Sequence, residues 1–148
     1  MEKLTMNQEG LMIMQERFGR DTVIVLGTTN GDYPAIRHVN AYYEDGAFYI
    51  ITYALSNKMQ QIGRNPNVSL CAEWFSARGR AENLGYFGKE ENKEVAEKLR
   101  KEFAEWIDNG HNNFEDENTI ILKIQLVDCV LFSHGTRYDI NFDSGVKD

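Results

Sequence analysis

The chain has 148 residues, of which 42% are hydrophobic and 26% charged, and its net charge is −7 at neutral pH. That length suits one domain over residues 1–148, able to bury a core without a metal or a disulfide to hold it. The acidic balance argues against a general nucleic-acid or anionic-membrane binder, since both need a positive surface field, and no apolar run approaches membrane-spanning length.

The first helix is expected from Thr5, where Thr5 and Gln8 fit a capping box and Leu11, Met14 and Phe18 form an apolar stripe that Gly19 ends. Residues 22–26 are rich in β-branched side chains and read as a strand. Asn30-Gly31 predicts a type I′ hairpin into a return strand over residues 35–43. Asp45-Gly46 predicts a second hairpin into a strand over residues 47–53. Ser56 is a fitting N-cap for a short helix that ends near Arg64, and Asn65-Pro66-Asn67 reads as a turn. Strands follow over residues 68–74 and, with soft limits at Gly79 and Gly85, 78–87. A long amphipathic helix is expected from Lys89 to Asn109, with Val95, Leu99, Phe103 and Trp106 on one face and Asn109-Gly110 as its cap. Residues 119–127 form an Ile- and Leu-rich strand, and short β pieces at 129–132 and 138–142 finish the chain. This succession of antiparallel strands must pair or close its edges, so the expected class is mainly β, a small barrel with flanking helices.

Cys71 and Cys129 lie in apolar runs without metal-type spacing, and buried or half-buried thiols are expected there. No metal site is expected, because His38, His111 and His134 form no ligand pair. His111 reads as a solvated loop residue, and His38 suits a site or a surface role equally. The opening residues lack the basic start and apolar stretch of a secretory signal, so a cytoplasmic protein is expected. Tyr42, Tyr43, Tyr53, Trp74 and Phe75 read as core or interface residues, with one or two suited to line a flat cofactor, rather than as a base-stacking platform, and the acidic balance opposes single-stranded nucleic acid as a ligand.

One residue sits against its surroundings. Lys58 falls in the first turn of the helix capped by Ser56, where a cation faces the positive end of the helix dipole at a cost of roughly 0.3–1 kcal/mol. A bound phosphate would turn that cost into a gain, with the Ser56 hydroxyl and the free backbone N–H groups joining it. Arg37 lies mid-strand among residues that should be packed. Its strand is joined by a hairpin to the one that leads into Ser56, so an Arg fork and a Lys point charge can meet at one anion.

The ordered set Pro34-Ala35-Ile36-Arg37-His38-Val39, Gly46 to Thr52, Ser56-Asn57-Lys58 and Asn65-Pro66-Asn67-Val68 resembles the pyridoxamine-phosphate-oxidase-like FMN-binding split-barrel proteins, of the general stress protein type. The resemblance spans about Thr22 to Gly79. It implies an antiparallel split-barrel homodimer with FMN at the subunit interface and a small-molecule redox substrate. By position, Arg37 and Lys58 would hold the FMN phosphate with Ser56 assisting. Asn57 stands where the oxidases often have a second basic residue. Thr52 and the backbone of Ile51 would lie against the cofactor, and His38, Val39 and Asn40 would run along the ring. Trp74 falls where the oxidases offer a ring-contacting glutamine. Tyr42 replaces a lysine that the oxidases place near substrate, and their long vitamin-B6-binding segment is not evident, so a true pyridoxamine phosphate oxidase is not expected. Some proteins of this superfamily use a deazaflavin or haem instead. The expectation is an FMN-dependent oxidoreductase of unassigned substrate, with a non-catalytic flavin buffer, carrier or sensor as the alternative.

Overall fold

The computed structural model describes residues 3–142. In chain order it holds α1 (Met6–Phe18), β1 (Thr22–Thr29), β2 (Pro34–Glu44), β3 (Ala47–Tyr53), α2 (Asn57–Arg64), β4 (Asn67–Ala72), β5 (Phe75–Tyr86), a 3-10 turn at Glu90–Asn92, α3 (Lys93–Glu102), β6 (Thr119–Ser133) and β7 (Thr136–Asn141). The strands run β3-β2-β1-β4-β5-β6-β7, all neighbours antiparallel, and β3 also pairs with β6. That last pairing closes a six-stranded barrel and leaves β7 outside it. Closure removes most of the free edges that an open meander would expose.

The closure is incomplete. β2 and β3 pair only at Tyr42–Tyr49, Tyr43–Phe48 and Glu44–Ala47. Beyond that short ladder β2 continues beside β1 from Ala41 back to Pro34, and β3 continues beside β6 as far as Tyr53. The facing edges of β2 and β3 therefore diverge, and the barrel is split along this seam.

Alternation of side chains divides the molecule into two apolar clusters. Inward residues Ile24, Leu26, Phe48, Ile50, Leu70, Phe75, Ile124 and Leu131 fill the barrel, and Met14 and Phe18 of α1 plug the end at which Phe18, Phe48 and Phe75 meet. On the outer face, Ile121 with Tyr42, Tyr49 and Ile51 receives Leu99 and Phe103. Fully burying each of these two is worth about 1.5–3 kcal/mol, enough to hold α3 on the sheet. β5 crosses closely over β6 at a bulge between Arg78 and Gly79, where a Cβ on Gly79 would lie 2.6 Å from Ile124 Cγ2. Among the described residues no helix is long and apolar enough to cross a membrane.

Local signals hold well. The Thr5–Gln8 capping box is present in full, and Ser56 caps α2 by accepting from the Met59 N–H at 3.4 Å. Asp45 and Gly46 both have positive φ, as a type I′ turn requires. Asn30-Gly31 does not form such a turn: the strands end at Thr29 and Pro34, and only Gly31 has positive φ. The strand expected over residues 68–74 ends at Ala72, because Glu73 and Trp74 make a tight turn with Trp74 at φ +59°. β5 accordingly begins earlier than expected, at Phe75. The long helix is much shorter, α-helical only over Lys93–Glu102, and the chain then passes through successive turns. The two strands expected at 119–127 and 129–132 are one, β6. Cys129 is buried, but Cys71 points outward and is exposed, because β4 alternates with Leu70 facing in.

Candidate functional site

Arg37 and Val39 lie on the inward face of β2, in phase with the buried Ala41 and Tyr43. Arg37 is half-buried, and its Nη1 donates to Leu26 O at 3.1 Å and to Thr28 Oγ1 at 2.8 Å. The Thr28 hydroxyl donates in turn to Gln61 Oε1 at 2.5 Å, so β1, β2 and α2 are tied together around one guanidinium. Its Nε and Nη2 make no hydrogen bond among the described residues.

Lys58 stands in the first turn of α2, which carries no acidic residue. Its Nζ donates to Thr52 Oγ1 at 2.6 Å, and Thr52 is itself buried. Among the described residues neither Lys58 nor Arg37 forms an ion pair. Burial, and then the nearby Arg37, hold the Lys58 ammonium below its usual range. Burial likewise lowers Arg37. Two desolvated cations with spare donors and no counter-charge form a site whose electrostatics are incomplete until an anion arrives.

The split of the barrel lies directly beside them. A cleft of about 300 Å³ opens there, lined by Val39 and Asn40 of β2, by Ile50, Ile51 and Thr52 of β3, and by Lys58. Its far wall is the turn segment after α3, through Trp106, Asn109, His111 and Asn112. The strand edges on either side are unpaired with one another, so backbone N–H and C=O groups face the gap. A cleft edged by peptide groups, with Lys58 in its lining and Arg37 close by, can take a polar ligand that carries an anionic group.

The residues expected from sequence do not all converge. Val39, Asn40, Ile51, Thr52 and Lys58 share the cleft, with Arg37 behind Thr28 and Ser56 at the helix start. Asn57 opens α2 but is exposed. His38 alternates to the outer face of β2 and is exposed there. Trp74 does not line the cleft: it is exposed in the turn between β4 and β5, where its ring meets Phe132 edge-on at 6.3 Å and its carbonyl accepts from Phe132 N.

Sequence reasoning missed Thr28, Gln61 and the wall beyond α3. Thr28 continues the inward phase of Ile24 and Leu26, and Gln61 lies three residues from Lys58 on one helix face, so both were findable by period. His111 is an exposed bend residue, as expected, and it also lines the cleft. A second depression, of about 720 Å³, lies on the outer sheet face between Ile36, Cys71 and Val130, and the charged residues that line it among the described ones are Arg78, Asp128 and Asp139. Arg78 is already paired with Asp128 there, so this face suits a broad contact rather than a small anion. Among the described residues no group of three or more His, Cys, Asp or Glu could hold a metal ion.

Comparison with solved structures gives the same architecture. General Stress Protein 26 from Bacillus anthracis aligns with a TM-score of 0.62 at 20% identity, over 89% of this chain and 97% of that one. An FAD-binding protein from Mesorhizobium loti aligns at 0.60 and 15%, over 80% and 90%. A heme binding protein from Mycobacterium smegmatis aligns at 0.69 and 12%, over 97% of this chain but 61% of that one. At these identities the likeness shows the fold alone. No curated protein matches the sequence. The family model for pyridoxamine 5'-phosphate oxidase, however, matches residues 14–130, a stretch that includes β1 to β5, most of β6, and both Arg37 and Lys58. The chain therefore belongs to the pyridoxamine 5'-phosphate oxidase family.

Proposed function

We propose that the chain binds FMN in the seam cleft and serves as an FMN-dependent oxidoreductase acting on a small molecule. The observation that carries this reading is the pair Arg37 and Lys58, two cations with spare donors and, among the described residues, no acidic partner, beside a cleft of about 300 Å³. In it, Arg37, Lys58, the Ser56 hydroxyl and the first N–H groups of α2, beginning at Asn57, hold the phosphate. Val39, Asn40, Ile51 and Thr52 lie along the ring. The bound flavin supplies the electron transfer, and the protein supplies orientation, charge and exclusion of water. Thr28 and Gln61 keep Arg37 aimed, and the Lys58–Thr52 bond fixes the ammonium against β3.

The working form in this reading is a homodimer with FMN at the interface. Its support is the outer sheet face, which carries exposed Val23 and Ile36 and, among the described residues, no covering helix. Exposed Trp74, which does not line the cleft of its own chain, reaches a cofactor site across such a dimer. A non-catalytic flavin carrier or sensor is the second reading. What favours it is that, among the described residues, no carboxylate or thiol lines the cleft and His111 is the one side chain there suited to relay a proton.

The test is the visible spectrum of the purified protein, before and after FMN is added and the excess removed. A retained flavin band supports the reading, and a colourless protein that fails to retain FMN overturns it. A Soret band would assign the cleft to haem. Rapid reduction and reoxidation with a donor–acceptor pair separates the oxidoreductase from the carrier.

A further inference from the structure

The wall beyond α3 is built in a way that the phosphate site does not require. The carboxylate of Asp21, just before β1, accepts two hydrogen bonds on its two oxygens: Oδ1 from Asn40 Nδ2 at 2.9 Å, and Oδ2 from Trp106 Nε1 at 2.8 Å. Asn40 belongs to one lip of the cleft and Trp106 to the other. A single carboxylate thus fixes the width of the opening on that side. The segment that follows is held in shape by its own bonds. Asn109 N donates to Trp106 O at 3.0 Å, His111 N to Asn109 Oδ1 at 3.1 Å, and Gly110 turns the chain at φ +97°. The outcome is that Asn109, His111 and Asn112 are delivered to the cleft.

The chemistry of that wall is specific. It is polar and carries no carboxylate. The Asn109 amide nitrogen is not used in the bond to His111, and the Asn112 carboxamide makes no hydrogen bond among the described residues. A carboxamide offers a donor and an acceptor side by side. Its complement is a ring edge that offers an acceptor and a donor in the same order, as an imide C=O and N–H do. Leaving such groups facing a bound ring without partners would be costly, so the wall selects as well as binds.

We propose that Asn109 and Asn112 recognise the imide edge of a planar heterocycle, and that Asp21 is the positioning residue that sets them against it. This rests on the reading of the cleft as a flavin site and names the part of the ligand that the wall reads. Arg37 and Lys58 read the phosphate, while the Asp21-held wall reads the ring, and the two contributions are separable.

The experiment uses the full chain and two probes, FMN and FMN methylated on its imide nitrogen, titrated by fluorescence. The wild type binds FMN about tenfold more tightly than the methylated analogue, the worth of one good hydrogen bond. Asn109→Ala/Asn112→Ala brings that ratio to about one. Asp21→Ala does the same, and Trp106→Phe, which keeps an aromatic side chain but loses the indole N–H that bonds Asp21, moves the ratio in the same direction. Arg37→Ala/Lys58→Ala weakens both flavins and leaves the ratio at about tenfold, as separable sites require. A merely structural role for Asp21 would lower both affinities together and leave the ratio alone. An equal affinity of the wild type for both probes, or a ratio preserved in the asparagine double variant, overturns the inference while the flavin reading stands. A wild type that binds neither probe overturns both.

Discussion

Replacing Lys58 with methionine separates a binding lysine from a structural one. The ammonium donates one of its three protons to Thr52 Oγ1 at 2.6 Å, and the remaining two have no acceptor among the described residues. If one of these meets a phosphate oxygen, Lys58→Met forfeits a charged hydrogen bond worth about 1.5–3 kcal/mol, or about 10- to 160-fold in FMN affinity. Riboflavin, which lacks the phosphate, should bind wild type and variant equally, within about twofold. Ligand-free stability should move little, about 1 kcal/mol either way. The variant loses the bond to Thr52 but also loses a desolvated cation facing Arg37, and these act in opposite directions. The assay is paired: fluorescence titration with FMN and riboflavin, and urea unfolding of the ligand-free protein. An unfolding free energy lower by more than about 2 kcal/mol, together with unchanged FMN affinity, would refute the reasoning and make Lys58 a structural residue.

The lowered Lys58 gives a pH signature. The ligand-free folded chain binds this proton less well than the unfolded chain, whose lysine titrates near 10.5. Stability from this group therefore rises as pH climbs from the folded value towards 10.5. A phosphate needs the proton in place, so FMN affinity falls through the same window, at lower pH than an ordinary lysine would give. Lys58→Arg should keep affinity flat there, and a wild-type affinity unchanged up to 10.5 would contradict the assignment. The two thiols should differ sharply. Burial, followed by Asp128 and Asp139, pushes Cys129 up to about 12, while Cys71 is exposed. Mass spectrometry after brief alkylation at neutral pH should find the label on Cys71, and labelling of Cys129 at an equal rate would show that the barrel opens there. Because the proposed dimer would cover that face, labelling of Cys71 should increase on dilution towards the monomer.

How far the sequence could be read depended on the range of the interaction concerned. Asp45-Gly46 and the Ser56 cap are settled by neighbours one to three residues away, and both hold. Asn30-Gly31 has the same local preference, yet the strands part at Thr29 and Pro34, a spacing that the dipeptide does not control. The helix expected to Asn109 overshoots for an instructive reason. Ile107 N still donates to Phe103 O, and Phe103 and Ile107 stay buried, so the apolar period continues after the regular helix has ended. What diverts the chain is the bond from Trp106 to Asp21, 85 residues away, and no local pattern announces it. The same distance explains the site. Arg37 and Lys58 were legible because a cation in a strand and a cation at a helix start are each locally odd, whereas the Asn109–Asn112 wall violates nothing and becomes visible only in three dimensions.

The divergence of β2 and β3 has a kinetic consequence. Each strand keeps its full ladder on the other side, β2 with β1 and β3 with β6, so the seam is a gap between two finished halves rather than a break in either. A molecule seated there can depart without rupturing a rung of the barrel. Its residence time is governed by its own contacts with the two lips, not by the unfolding rate of the protein. Exchange of the occupant is thereby uncoupled from global stability, and a more rigid barrel would not hold its guest any longer.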